Sequence, residues 1–540
     1  MGRACRIMIR KFVKTLSLEK VRFLCLLFIF FVIVVFAWQA DDAYHAHRMS
    51  WNLLNGNGFT YNPGERVNAT TSPLWTLMTT GIYAILGNVY WASMLLCFAC
   101  SIFAIYIMLK LFCKSIGSTI IATWLLLFCT SFVSYTTSGL ENPLLFLLSA
   151  VIVILFIKTE TFDAKKLLLL SFASSLLITA RMDNALIVLP LLVYAFLIKS
   201  TNKPLAILCG FIGMLPFIGW ILFSLVYYGF PFPNTYYAKL STGFPLTDYF
   251  QRGVKYFFVS GLFDPVVLII PLVYTVFSCL RKDMKHIIIS SGVVLYLAYV
   301  FYIGGCFMMG RHFTVPFFLS LFCLFDLLAK DEVELNIVSC FKLHVIKPLA
   351  IVLIASMFYQ CINFHGVLNG SSGVMCERRF YYPYTSIPYV YGMAIRANAS
   401  PHETMLRVFG YEHLAEIIMS GYKGDILPFA PGLIAYSAKN LYITDDIALG
   451  DPMLARLPAP SQIWRIGHIH RDIPEGYRDS VRSGQNKIVD PSLHRYYDVL
   501  RLIIQSKDLF APERMDALIN MNLGKYDYLI QEYAASRKWF

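Results

Sequence analysis

Charge is scarce in this chain. Only 15% of its 540 residues are Asp, Glu, Lys or Arg, against 57% hydrophobic residues and a mean hydropathy of +0.59. Soluble domains carry about a quarter charged residues, so an ordinary soluble enzyme is excluded and a polytopic membrane protein is indicated. Further absences narrow the field. No basic tract is interleaved with exposed aromatics: the net charge of +13 comes mostly from lysines and arginines in short loops between apolar runs, which orient membrane helices and do not read nucleic acid. No C-x-x-C pair lies outside an apolar run and no Cys/His ligand spacing is present. Cys25, Cys97, Cys100, Cys129, Cys209, Cys279 and Cys323 sit inside apolar runs as small hydrophobes, so neither a zinc site nor a thiol redox centre is indicated. No strand leads into G-x-G-x-x-G and a helix, so no nucleotide-sugar fold of that kind is indicated. There is no internal repeat. The first apolar run lacks a small-residue cleavage site and reads as an uncleaved first helix.

What the chain does have is apolar runs of spanning or near-spanning length. They fall at about 22–39, 90–109, 119–136, 143–157, 167–180, 184–198, 204–228, 264–280, 286–303, 312–329 and 346–362, which predicts eleven crossings. The segment 74–87 reads as an interfacial or re-entrant helix, because counting it as a crossing breaks the alternation of charge. Lys and Arg cluster before the first run and then at Lys110/Lys114, Lys158/Lys165/Lys166, Lys199/Lys203, Arg281/Lys282/Lys285 and Lys330/Lys342/Lys347, at every second junction. The positive-inside rule places these junctions in the cytoplasm and the last 175 or so residues outside. After about residue 363 the composition turns mixed and water-compatible. Segments 407–421 and 494–505 read as amphipathic helices, 426–437 and 440–445 as short strands or loops, which together predict a C-terminal soluble α+β domain over 363–540 beside a transmembrane domain over 1–362. Cys361 and Cys376 are the one pair placed to form a disulfide.

The outward junctions hold the polar residues least expected in a membrane protein. They are Asp41/Asp42 at the head of an outer loop over 40–73, SGLEN at 138–142, ARMDN at 180–184, YYGFPFPNTYYAK at 227–239 and GGCFMMGRHF at 304–313. Each has a bland reading: Asp41 and Glu141 as helix caps, Arg181 and Asp183 as a structural ion pair, Gly304–Gly305 as a turn. Five clusters on one rim, with an excess of ionisable groups and Gly/Pro/Asn breaks there, point instead to an active site at the lipid edge. Asn57–Gly58 and Pro63–Gly64 are turn signals that fold the outer loop back over the surface. The break at Pro231–Asn234 brings Tyr236, Tyr237 and Lys239 to headgroup depth, where the lysine can meet a phosphate.

These motifs in their order, DDAYHAHRMSWNLLNGNGFTYNPGERV, TSPLW, SGLENPL, ARMDN, YYGFPFPNTYYAK and GGCFMMGRHFTVP, resemble the polyprenyl-phosphate-dependent membrane glycosyltransferases of the GT-C class. The branch they are most similar to is the arabinofuranosyltransferases that resemble the mycobacterial terminal β-(1→2) enzyme. The tail DIALGDPMLARLP and WRIGHIHRDIPEGY resembles the periplasmic domain of that branch. Two departures stand out. Cys306 replaces an expected acidic residue, so a third carboxylate beside Arg311 is missing, and Met182-Asp183-Asn184 replaces R-P-D-G with the aspartate kept.

The resemblance implies an inverting transfer of a sugar, arabinofuranose in that branch, from a polyprenyl-phosphate donor to an acceptor hydroxyl on a glycan, glycolipid or glycoprotein. It implies a multi-pass protein of the bacterial inner membrane, with the site and the C-terminal domain on the periplasmic face. Such chemistry needs a base for the acceptor and cations for the phosphate. Asp41 matches the first acid of the motif and is the expected base, with Asp42 and Glu141 positioning the acceptor or sharing a proton. Arg311 and Lys239, with Arg181, Asp183, His312, Asn234 and Tyr237, form the expected donor-phosphate site. His45, one turn from the aspartates, leaves a divalent cation open; no other cofactor is implied. The rivals are a secondary transporter or flippase of lipid-linked sugar, which usually shows two related halves and charge at the bilayer midplane, and a surface binding module, for which eleven crossings are excessive.

Overall fold

The computed structural model describes residues 17–200, 202–330, 373–390, 432–438, 441–459 and 466–537. The apolar runs among them are helices. In chain order these are α1 (Leu18–Val35), α2 (Ala43–Leu54), α3 (Pro73–Leu86), α4 (Val89–Leu111), α5 (Ile116–Phe128), α6 (Thr130–Tyr135), α7 (Asn142–Ile157), α8 (Ala164–Ala180), α9 (Ala185–Val193), α10 (Lys203–Gly213), α11 (Leu215–Tyr228), α12 (Asn234–Leu240), α13 (Leu246–Phe263), α14 (Val266–Arg281), α15 (Met284–Tyr302) and α16 (Thr314–Lys330). Polar residues at the run ends set the boundaries. Asn88 caps α4 by accepting from the Trp91 amide, Asp163 caps α8 from Lys166, and Asp283 caps α15 from Lys285 and His286.

Length and composition give fewer membrane spans than the eleven anticipated. Among the described residues three helices are long and apolar enough to cross, Val89–Leu111, Met284–Tyr302 and Arg311–Lys330, and two bent pairs raise this to five at most. The other runs are broken by local chemistry. The run 119–136 divides at Cys129, whose backbone is extended, because the buried Asp264 carboxylate accepts the Ser131 amide at 2.7 Å and starts a new helix. α10 and α11 bend by 50°, and α13 and α14 by 102° at Asp264–Pro265. α13 itself was not anticipated, since Asp248, Arg252 and Lys255 interrupt its apolar pattern. The eleventh run, 346–362, lies outside the described residues, as do the boundary at 362/363 and Cys361; Cys376 carries a free thiol.

α16 is the centre of the bundle. It is buried on all sides, with Phe318 stacked on Phe132 at 5.7 Å and Phe322 against Phe112 at 4.0 Å between ring centres. α1 by contrast exposes Phe23, Leu27 and Phe31, an apolar outer face of the kind lipid covers. The bundle has two ends. At one, Lys330 pairs with Asp283 at 2.9 Å and Lys285 with Glu160 at 2.8 Å, joining the basic junctions. α15 runs from this end to Gly304, and α16 returns from Arg311; α7 and α8 begin and finish at Glu141 and Arg181 on the far end. The junctions that carry Asp42, Glu141, Arg181, Lys239 and Arg311 therefore gather at one face.

Over that face lie the C-terminal helices α17 (Glu377–Thr385), α18 (Gly432–Ser437), α19 (Tyr477–Ser483), α20 (Pro491–Gln505), α21 (Pro512–Asn522) and α22 (Asp527–Ser536). Leu493, Tyr497, Leu500 and Ile504 of α20 form a separate apolar core with Leu454, Leu518, Leu529 and, from the bundle, Phe230 and Ala238. Arg514 donates to the carbonyls of Val226 and Tyr227, and Asn522 to that of Gly229, so the tail satisfies the open carbonyls at the end of α11. No strand ladder is present among the described residues, only single bridges such as Met308 with Met375. Of the stretch 426–437, expected as short strands or loops, Gly432–Ser437 is the helix α18; 426–431 and the helix expected at 407–421 lie outside the described residues.

Candidate active site

The gathered face holds a cleft open to solvent. Asp42, Glu141, Arg181, Lys239, Arg311 and His312 line it, so six of the ten residues expected from sequence come together from five separate segments.

Local structure aims each of them. The Ala40 amide donates to the Ser138 carbonyl at 2.9 Å, which lays the chain before α2 beside the turn that carries Glu141 to the head of α7. Arg181 leaves the end of α8 in an extended conformation and is followed by a single 3₁₀ turn. Arg311 follows Gly310, which has φ +69° and lies so near Ser131 that a Cβ would overlap its hydroxyl. Only glycine fits there. The Asn142 side chain donates to Thr314 at 3.0 Å and pins the starts of α7 and α16 together.

Glu141 is the electrostatic hub. Its carboxylate takes Arg181 Nη1 at 2.6 Å and Arg311 Nη2 at 3.0 Å. Burial alone would raise this carboxyl, but the charges of Arg311 and Arg181 outweigh burial and hold it down at about 2. Arg181 is also gripped by Asp183, with Nε 2.9 and 3.0 Å from its two oxygens, and Asp183 stands behind Arg181, off the cleft wall. Asp42 meets Arg311 Nη1 at 3.5 Å. His312 Nδ1 faces the Tyr296 hydroxyl at 3.2 Å and its Nε2 faces Arg181 at 3.4 Å; an arginine only donates, so Nε2 is the accepting nitrogen. Lys239 opens onto the cleft with no carboxylate of the described residues in bridging distance. The wall thus has two tethered guanidiniums and one untethered ammonium.

Asp41 does not line the cleft. Its Oδ2 accepts the Gly432 amide at 2.7 Å and its Oδ1 the Leu433 amide at 2.9 Å, across to α18. Burial pushes its carboxyl up to about 7, opposed by those amides and helped by the Asp42 charge. Asp42 carries no side-chain cap bond to α2 either, so neither aspartate is the cap that local pattern suggested for that helix. Asn234 and Tyr237 likewise stand off the cleft wall. Asn234 donates to the carbonyls of Ala448, Leu449 and Asp451 at 2.9–3.2 Å, a clip between α12 and the tail, and Tyr237 lies under the Arg456 guanidinium at 4.6 Å. The Asn234 amide is spent on these carbonyls, and both residues line a separate recess with Arg456.

Other lining residues were not singled out beforehand. Thr70, Ser72 and Thr235 supply hydroxyls, and the tail supplies Leu449 and Gly467. Ser72 stands in the quoted TSPLW motif and Thr235 in YYGFPFPNTYYAK, where their hydroxyls were the available signal; Leu449 and Gly467 stand in the two quoted tail segments. The ligand atoms of Asp41, Asp42 and His45 lie within 4.8 Å of one another, and His45 Nδ1 is buried without a hydrogen-bond partner. Two carboxylates and an orphaned imidazole nitrogen fit a divalent cation.

No family model matches the chain, and no solved structure matches it. Among curated proteins it is 26% identical over 335 residues to the terminal β-(1→2)-arabinofuranosyltransferase of Mycobacterium tuberculosis, a match over 53% of this chain. The chain spans about half the length of that relative, 51%.

Proposed function

We propose that this chain is a membrane glycosyltransferase of the GT-C type, which moves a sugar from a polyprenyl-phosphate donor to an acceptor hydroxyl with inversion. One observation carries the reading: a cleft-facing carboxylate, Asp42, stands 3.5 Å from Arg311 on a wall that also holds Arg181 and the untethered Lys239. A base beside a phosphate site is what direct displacement from a sugar phosphate requires. In this mechanism Asp42 takes the proton of the acceptor hydroxyl as its oxygen attacks the anomeric carbon. The bond from that carbon to the phosphate oxygen breaks, and the charge left on the phosphate is met by Lys239 and Arg311. Glu141, ionised and pinned between two arginines, sets the guanidiniums in place and is too weak a base for the hydroxyl. Asp41, the residue expected to be the base, has both oxygens on backbone amides, and the role passes to its neighbour.

A divalent cation held by Asp41, Asp42 and His45 would supply charge neutralisation beside the phosphate. The relative's name supports arabinofuranose as the sugar, and a cell-surface glycan, glycolipid or glycoprotein is the acceptor class. The apolar bundle and the basic junctions at its other end support a bacterial inner-membrane protein, with the cleft and the residues after 362 on the periplasmic side. The test is sugar transfer from a synthetic polyprenyl-phosphate donor by reconstituted protein. Asp42→Asn should lower turnover by about 10²–10⁴-fold with donor KM little changed. Absence of transfer by the wild type, or a near wild-type Asp42→Asn protein, overturns the assignment.

A further inference from the structure

Asp41 and Arg48 make an arrangement that the proton transfer from the acceptor hydroxyl does not use. They lie seven positions apart, two turns on the same side of α2 and the residues that lead into it. Between them lies α18, six residues long, with its ends against the two side chains. Two turns rise about 10 Å and a six-residue helix is about 9 Å long, so one grip at each end matches the span. At the start, the Asp41 carboxylate takes the amides of Gly432 and Leu433. At the finish, the Arg48 guanidinium, fully buried and with no carboxylate partner among the described residues, donates to the carbonyls of Ala435, Ala438 (3.1 Å) and Leu441 (2.7 Å). Its Nε holds the Tyr61 carbonyl at 2.7 Å, which ties in the outer loop.

A negative group on the amide end and a positive group on the carbonyl end is the favourable sense for a helix, and every partner is backbone except the Asn62 side-chain oxygen, which accepts from Arg48 at 3.2 Å. One side chain is dictated by the fit. A Cβ at Gly432 would lie 2.2 Å from the Asp41 carbonyl oxygen and 3.2 Å from the His45 ring.

We propose that Asp41 and Arg48 are positioning residues, a two-ended clamp that holds α18 on α2 and so fixes Asp42 against the tail that supplies Leu449 and Gly467 to the cleft. The activity arm of its test rests on the glycosyltransferase reading; the exchange arm does not. Hydrogen–deuterium exchange on the full-length protein in nanodiscs should show amides 432–438 exchanging at least ten-fold faster in Asp41→Ala and in Gly432→Ala, and by an intermediate factor in Asp41→Asn, which keeps one acceptor oxygen. Turnover should fall ten- to a hundred-fold in Asp41→Ala and Gly432→Ala at unchanged donor KM, and the double variant should be no worse than the poorer single one. Unchanged exchange in a folded Asp41→Asn or Asp41→Ala protein overturns the clamp. Wild-type turnover in Gly432→Ala despite faster exchange overturns the positioning role, leaving Asp41 a chemical one. A wild type that transfers no sugar refutes the functional reading alone, and exchange still decides the clamp.

Discussion

Replacing Glu141 by Gln separates an anchor from a catalyst. The side chain is 1% exposed and its carboxylate is shared by Arg181 at 2.6 Å and Arg311 at 3.0 Å. Removing one partner of a buried ion pair typically costs about 3–5 kcal/mol, because the opposite charge is left buried and unmatched. Here the loss is partly offset. Arg181 keeps Asp183, Arg311 keeps Asp42 at 3.5 Å, and glutamine retains the volume and one accepting oxygen. The expected cost is therefore near the lower bound, about 3 kcal/mol, or a little over a hundred-fold in the folding equilibrium. Tryptophan fluorescence of the detergent-solubilised protein, read as heat- and denaturant-induced unfolding and as unfolding rate, reports this directly. In kinetics, a carboxyl held at about 2 takes no proton from a hydroxyl at neutral pH, so turnover should fall less than ten-fold, while the extra positive charge lowers donor KM. An unfolding midpoint within 1 °C of wild type, where about 3 kcal/mol should show clearly, refutes the buried-pair argument. A turnover loss of about 10²-fold or more would return Glu141 to the chemistry.

Stability should also depend on pH with an unusual sign. Burial raises Asp41 to about 7, Asp445 to about 6 and Asp451 to about 8, from an ordinary 3.8. Each binds its proton more tightly folded than unfolded, so their contribution is complete at low pH and is lost as pH rises from about 4 to 8. Glu141 runs the other way, contributing fully above its ordinary 4.5 and losing that as pH falls toward 2. The unfolding midpoint should be higher at pH 5 than at pH 8, with Asp451→Asn flattening the difference; a midpoint that rises with pH contradicts it. Asn234→Ala strips partners from the carbonyls of Ala448, Leu449 and Asp451 and should destabilise by about 2–3 kcal/mol with donor KM unchanged. A raised donor KM in a protein of wild-type stability would restore Asn234 to the phosphate site.

Helix positions were legible because hydrophobic runs record them: the runs at 90–109, 143–157, 286–303 and 312–329 correspond to α4, α7, α15 and α16 within a few residues. Crossings were less legible, since a run says nothing of a bend inside it. The break at Cys129 depends on Asp264, 135 residues later, and the 102° corner on how α13 packs. α13 escaped notice for the converse reason, as a partly exposed helix with charged residues on its apolar pattern. The tail was the least legible part, because α18 is six residues long and owes its ends to Asp41 and Arg48. Helices that short have too few internal bonds to be written in local propensity.

The site shows the same limit at the scale of two adjacent residues. Ionisable groups where apolar runs end are costly, and that cost alone marked Glu141, Arg181, Lys239, Arg311 and His312 as a set. It could not divide Asp41 from Asp42. Both are aspartates at the head of one helix, and composition, spacing and cap preference treat them alike. What separates them is a partner 391 residues away: the amides of Gly432 and Leu433 claim both oxygens of the first and leave the second facing Arg311. Asn234 and Tyr237 stand off the cleft wall for a related reason. Their polar groups stood next to Lys239 in sequence, but α12 turns once between them, and the face that carries Asn234 meets the carbonyls of 448–451 while Lys239 opens onto the cleft. Chemistry-bearing residue types thus identify which loops build such a site, and helix phase together with distant backbone partners decides which member of each loop enters it.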